Sequence, residues 1–359
     1  MLKFRFLRRF LFRRPKAIKV AYLIESTMLY GGIKVAFRHV QALEQMGCHA
    51  TIICHEPYPD WLEPGVNFTQ ADPFNQDIGN SFDVLVATSA RLPAQHYPPL
   101  GKAVVFHLMQ GYEGDLKEAA PYMDIILKCY NLRMPSLAVT PYLKDLLEDR
   151  FDNEVVHYIG QGIDHHYFYP ARPNKNLRYT GHVNLFVFGN LQQEVKQIRL
   201  ALRVFSQAKA VIPQLRLIRI SIFDTKREEE EILGHDIEFA KGKSPLEVGQ
   251  ILRQNPGILL GPSQEAEGFG LPPLEAMACG VPTVITRTPG FLSFDDRHDY
   301  ALFSEVGNAE EMVEGIVKVF RDDALRAKII KRGLEVAGNF THQKVAKNLK
   351  KVFEEYLRK

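Results

Sequence analysis

Apolar residues along the chain fall into short unbroken runs, and between many of these runs the apolar spacing widens to three or four. The runs "IKVAYLIE", "HATIIC", "FDVLVATS", "KAVVFHLM", "MDIILKCY" and "EVVHYIG" have the length and continuity of strands buried on both faces. In "GGIKVAFRHVQALEQMG", by contrast, Val35, His39, Ala42 and Met46 lie near one face of a helix. "TPYLKDLLEDRF" opens with Thr140 and Pro141, a favourable cap and first helical position. A second series reads "VNLFVFG", "LRLIRISIF", "IEFAKG", "GILLGPS" and "VPTVITR" as strands, with "ALRVFSQAKAVI" and "SPLEVGQILRQ" helical between them. Strand alternating with helix predicts an α/β protein in which a parallel sheet is covered on both faces. Here the alternation occurs twice.

Between the two series, "FYPARPNKNLRYTGH" is rich in proline and polar residues and interrupts the pattern. We place an interdomain linker at 169–182, a first Rossmann-like domain at 17–168 and a second at 183–338. From Ala309 onward the pattern is almost wholly helical, with a break near Asn339. That leaves a C-terminal helix over 339–359, free to pack back on the first domain. Two such domains predict a cleft between them, with ligands bound beyond the carboxyl ends of the strands.

A length of 359 residues suffices for two domains with their own cores. Cys48, Cys54, Cys129 and Cys279 lie among apolar neighbours without metal spacing, the pattern of reduced, buried thiols in a cytoplasmic protein. No apolar run reaches the roughly 18 residues of a membrane-spanning helix.

The net charge of +3 is unevenly distributed. The opening "MLKFRFLRRFLFRRPK" holds seven basic residues and no acid, so the rest of the chain carries 38 basic against 42 acidic residues. That balance argues against nucleic acid as a partner, because a nucleic-acid-binding fold carries its basic surface on the folded domain. On a helical wheel Phe4, Leu7 and Leu11 share a face opposite Arg5, Arg8 and Arg9. Residues 1–16 therefore read either as a basic amphipathic arm for an anionic membrane surface or as a disordered terminus. The first reading makes the protein peripheral on the inner face of the cell membrane.

The densest chemistry lies in "EAEGFGLPPLEAMACGVP", Glu265 to Pro282. It reads as a glycine loop leading from a strand into a helix, with Pro272 and Pro273 in the first turn. Such a helix start presents free amides and a positive dipole end to an anion, typically phosphate. Glu275 near the third helical position is either a capping carboxylate or an acceptor for ribose or sugar hydroxyls. Glu267, before the turn, is either a solvated loop acid or a second ligand-facing carboxylate. Two acids around one anion-binding turn suit a ligand carrying both phosphate and hydroxyls, such as a nucleotide sugar.

The same residues carry a family resemblance. Glu267, seven intervening residues and Glu275, within "EGFGLPPLEAMACGVPTV", resemble the signature of family 4 retaining glycosyltransferases of the GT-B fold. "GGIKVAFRHVQALEQMG" resembles the family's first glycine loop and helix, and "YIGQGIDHHYFYP" its interdomain segment. "FHLMQGYEG", with Gln110, Tyr112 and Glu113, bears a weaker likeness to bacterial rhamnosyltransferase-type members.

The resemblance implies metal-independent transfer of a sugar, with retention, from a nucleoside diphosphate sugar to a hydroxyl of a glycan or lipid-linked acceptor. No cofactor is implied beyond the donor itself. Glu275 is expected on the ribose, Glu267 on the sugar ring, and Phe269, Gly270 and Leu271 through their amides on diphosphate or sugar. Gly31 and Gly32 are expected to let the first domain approach the diphosphate. Lys196 matches the family's lysine, but Asn190 stands where an arginine is usual after the glycine, here Gly189. His107 falls where members often keep a sugar-contacting histidine; a buried strand-terminal histidine is the alternative. A GT-B-fold sugar phosphorylase, a sugar-nucleotide epimerase or a non-catalytic nucleotide-sugar-binding protein shares the same architecture. A dehydrogenase does not fit, because "ESTMLYGGIKVA" lacks the Gly-x-Gly-x-x-Gly turn.

Overall fold

The computed structural model describes residues 17–98, 101–235 and 237–358. The basic arm over 1–16 lies outside the described residues. Seven strands form the first sheet: β1 (Lys19–Leu23), β2 (His49–Cys54), β3 (Phe68–Gln70), β4 (Val84–Ala87), β5 (Val104–Met109), β6 (Ser136–Ala138) and β7 (Val156–Tyr158). Their order is β3-β2-β1-β4-β5-β6-β7. Six strands form the second: β8 (Val183–Phe188), β9 (Leu215–Ser221), β10 (Glu238–Lys241), β11 (Gly257–Gly261), β12 (Thr283–Thr286) and β13 (Leu302–Ser304), in the order β10-β9-β8-β11-β12-β13. Every pairing is parallel. The central strands are buried along almost their whole length, as in β4 and β8, which is why each reads as a continuous apolar run.

Strand order reverses beside β1 in the first sheet and beside β8 in the second. An open parallel sheet is split for a ligand at such a point, because consecutive connections leave to opposite faces. The loop after β1 leads to Gly31, and the loop after β8 to Gly189. Both switch points thus end in glycine turns.

The helix His342–Leu357 returns from the second domain and packs on the helix Gly31–Gln45 of the first. Lys350 Nζ donates to the Met46 carbonyl at 2.8 Å, Asn348 Nδ2 to the Ile159 carbonyl at 3.0 Å, and Phe353 lies 5.3 Å from the Phe106 ring. Before it, helices run over Ala309–Arg321 and Asp323–Ala337. The tail is therefore broken at Asp322, which caps the second helix through Leu325, as well as near Asn339.

One sequence expectation is corrected. "MDIILKCY" is the helix Met123–Tyr130, not a strand. Its buried residues, Ile126, Cys129 and Tyr130, recur at three to four, whereas Ile125 and Leu127 are exposed. Asp124 in the first turn and Lys128 in the last complement the helix dipole. The strand of this region is the short β6, which pairs with β5 through His107 and Ser136.

Candidate functional site

A cavity of about 340 Å³ opens between the domains and is bounded by both glycine turns. Gly31, Gly32 and Lys34 come from the first domain; Lys196, Glu267 and Glu275 come from the second. The turns meet across it. A Cβ built on Gly31 would stand 3.4 Å from Leu271 Cδ1, and one on Gly32 would stand 3.0 Å from Gln110 Nε2. Gln110 Nε2 donates to the Gly32 carbonyl at 3.2 Å. On the other side, a Cβ on Gly268 would lie 2.2 Å from the Gln110 carbonyl oxygen and 2.7 Å from Gly111 Cα. Only glycine admits the first-domain backbone this close.

The second turn folds as the sequence suggests. Gly270, with φ of 87°, precedes the helix Leu271–Ala278, and a Cβ there would run into the Phe291 ring at 2.1 Å. Pro272 and Pro273 carry no N–H, so the amides of Phe269, Gly270 and Leu271 are those the turn has to offer an anion. All three of these residues line the cavity.

Glu275 sits in the fifth position of this helix, one place beyond the first turn, which contains no acid. It is therefore not a cap. Its Oε1 accepts from Lys34 Nζ across the cleft, and the carboxylate side chain is 5% exposed. Glu267 Oε2 accepts from Lys196 Nζ at 2.6 Å and from Ser263 Oγ at 2.9 Å. The loop before Glu267 is fastened to the Lys196 turn by the Gln264 amide, which donates to the Val195 carbonyl at 2.9 Å. Lys196 itself folds back over Gly189, whose φ is 125°; a Cβ there would stand 2.8 Å from Lys196 Cγ.

Asn190 lines the cavity, but its Oδ1 is occupied. It accepts from Ser221 Oγ at 2.8 Å and from the Ile222 amide at 3.2 Å, so the residue fixes the β8 turn to the end of β9. Arg199 points away into a surface pair with Glu228 at 2.8 Å. His107 is not brought to the cavity. It is 2% exposed near the end of β5, with its ring edge-on to Tyr130 at 5.2 Å and Nδ1 4.0 Å from Cys129 Sγ. Burial pulls its pKa down to about 4, so the ring is neutral at ordinary pH. Among the described residues, no group of three or more His, Cys, Asp or Glu side chains is placed to hold a metal ion. All four cysteines are free and buried.

Sequence reasoning missed Lys34. Its position three residues after Gly31 places it on the same helix face as that glycine, but its partner lies 241 residues away.

Residues 170–336 match the family described as glycosyl transferases group 1. An uncharacterized glycosyltransferase of Methanocaldococcus jannaschii is 31% identical over 119 residues, 33% of this chain and 33% of that protein. The chain thus spans about a third of the length of this curated relative. Among solved structures, sucrose-phosphate synthase from Thermosynechococcus elongatus superposes with a TM-score of 0.77 at 17% identity, covering 95% of this chain and 99% of that one. HepE of Anabaena in complex with UDP-glucose gives a TM-score of 0.75 at 13% identity, covering 94% and 100%. The fold is GT-B: two Rossmann-like parallel-sheet domains with a cleft between them and a C-terminal helix.

Proposed function

We propose that the protein is a glycosyltransferase that moves a sugar from a nucleoside diphosphate sugar to a hydroxyl of a glycan or lipid-linked acceptor, with retention and without a metal. The carrying observation is the pair of lysine–carboxylate contacts, Lys34–Glu275 and Lys196–Glu267, beside two opposed glycine turns in one cavity. A ligand that replaces both contacts has to bring hydroxyls for the acids and anionic oxygens for the lysines. A nucleotide sugar carries both. The likeness to HepE, solved with UDP-glucose, supports the same donor class.

In this reading Glu275 accepts the ribose hydroxyls, and the amides of Phe269, Gly270 and Leu271 face the diphosphate. Gly31 and Gly32 allow the first domain to close over it. Lys196 transfers from Glu267 to the diphosphate as the bond to the sugar carbon breaks, neutralising the leaving group where charge develops. Glu267, released, faces the sugar ring. The transferred group is a hexosyl or deoxyhexosyl unit. Residues 1–16 bring the enzyme to the inner, anionic face of the cell membrane, near a lipid-linked acceptor. Among the described residues no helix is long and apolar enough to cross a membrane.

The test is a thermal-shift screen across nucleoside diphosphates and their sugars, followed by product analysis with and without a glycan acceptor. A donor of this class raises the melting temperature by mass action, and the product keeps the anomeric configuration of the donor. Inversion, or product formed only by phosphorolysis, would refute the reading.

A further inference from the structure

Three lysines line the cavity: Lys34, Lys196 and Lys243. Lys243 is held at the rim by Glu247 at 2.9 Å, with 40% of its side chain exposed. Lys34 is far better enclosed, at 14% exposure, and its ammonium lies 5.4 Å from the centre of the Phe168 ring. It projects from the first turn of the helix that Gly31 and Gly32 begin, so a group approaching those glycines comes within reach of its flexible stem. Asn190, on the second-domain side, is uncharged and has its oxygen engaged by Ser221 and Ile222. The inner cavity therefore has two cations for a diphosphate, and each is bound to a carboxylate.

We propose that Lys34 is a donor-binding residue that exchanges Glu275 for the diphosphate when ribose hydroxyls take over the carboxylate. The proposal rests on the donor reading given above. The Lys34–Glu275 contact joins the two domains, so the exchange also couples recognition of the ribose to recognition of the phosphates. A donor that offers only one of the two groups leaves one side chain of the pair buried without a partner, which is costly. The pair thus selects for ligands that carry a ribose diol and a phosphate group together.

Inorganic pyrophosphate, which has phosphates and no ribose, isolates the lysine. Titration calorimetry is done on the full chain as wild type, Glu275→Gln, Lys34→Met, Lys34→Arg and the double variant Lys34→Met with Glu275→Gln. Glu275→Gln is expected to bind pyrophosphate about tenfold more tightly than wild type, because Lys34 is released from its carboxylate. Lys34→Met is expected to bind about tenfold more weakly, Lys34→Arg close to wild type, and the double variant like Lys34→Met alone. A merely structural pair predicts the opposite sign for Glu275→Gln, since breaking it loosens the cleft. Unchanged or weaker pyrophosphate binding by Glu275→Gln, a double variant that binds more tightly than Lys34→Met, or no pyrophosphate binding by any variant overturns the proposal. The donor reading fails separately, if no nucleoside diphosphate among UDP, GDP and ADP raises the melting temperature of the wild-type protein.

Discussion

Two kinds of ion pair flank the Gly189 turn. Behind it, Arg219 and Glu229 are both 0% exposed. Each guanidinium nitrogen has a partner: Nε and Nη2 meet the Glu229 carboxylate at 2.6 and 3.0 Å, Nη1 meets the Val187 carbonyl at 2.6 Å, and Nη2 also meets the Gly189 carbonyl at 2.7 Å. Thr225 Oγ1 donates to Glu229 Oε1 at 2.7 Å. In front of the turn, Lys34–Glu275 and Lys196–Glu267 lie on the wall of a cavity, each joined by one ion contact, with Ser263 Oγ also donating to Glu267. The charges match, but the valences do not. A pair buried from water, with a partner at every guanidinium nitrogen, can only support the fold. A pair with capacity to spare, facing open space, can trade its partner for a ligand.

The largest effect belongs to the fully buried pair. Glu229→Ala leaves a buried guanidinium unpaired, and removing one partner of such a pair costs about 3–5 kcal/mol. Chemical denaturation should show that loss, with cleavage of the Gly189 turn by protease rising in step. A loss under about 1 kcal/mol would mean the pair is no more structural than those on the surface.

The cavity pairs should respond in rates and affinities. In the proposed reading Lys196→Ala removes a charge-assisted contact to the leaving group, so kcat should fall by roughly 10- to 100-fold, corresponding to about 1.5–3 kcal/mol. Glu267→Gln is expected to lower kcat more than nucleotide affinity, because its contact strengthens as charge develops at the sugar carbon. Glu275→Gln is expected to raise KM with little change in kcat, since the ribose is remote from the reacting bond. Steady-state kinetics with the donor found in the screen read both. Equal effects on KM and kcat in the two variants would erase the assigned division of labour.

How far the sequence reached follows the same line between local and distant partners. β1, β4, β8 and β11 were legible because strands buried on both faces leave continuous apolar runs. The Glu265 to Pro282 stretch was legible because its glycines, prolines and helix formers act on their immediate neighbours. β3, β6 and β13 are three residues each and too short to show a period. Met123–Tyr130 was misread because eight apolar-rich residues fit either element, and only its packing decides. The sequence does not single out Lys34 and leaves Glu275 between a cap and an acceptor for ribose hydroxyls, because their contact joins residues 241 apart. Nothing local in either segment encodes it.

A third, smaller effect separates buried histidine from cavity chemistry. Burial holds His107 at a pKa of about 4 and His39 at about 3, below the unfolded value near 6.5. With the folded pKa depressed, the unfolded chain takes up the proton first as pH falls. Stability is thus full above pH 6.5 and is lost between there and about pH 4 for His107 and about pH 3 for His39. From pH 7 to pH 5 each ring should cost about 2 kcal/mol. His107→Gln should flatten that decline by one ring's share in denaturation curves at the two pH values. A variant that keeps the full decline but loses sugar transfer would place His107 in the reaction after all.

The smallest expected effect is the sharpest control on the comparison. Arg199 follows Lys196 by three residues and is the next cation along the chain after it, whereas Asn190 stands at the position of the family's usual arginine. In the structure it pairs with Glu228 at the surface, with 64% of its side chain exposed. Exposed pairs of this kind contribute about 0–1 kcal/mol and are screened by salt. Arg199→Ala should therefore shift the melting temperature slightly and leave the affinity for the nucleoside diphosphate within about twofold, or roughly 0.4 kcal/mol. The measurement is a calorimetric titration of the variant beside wild type at two salt concentrations. A tenfold weaker affinity would show that Arg199 swings inward on binding. The rule that exposed, singly paired cations are bystanders and enclosed ones are ligand groups would then fail at the place where this chain departs from the family pattern.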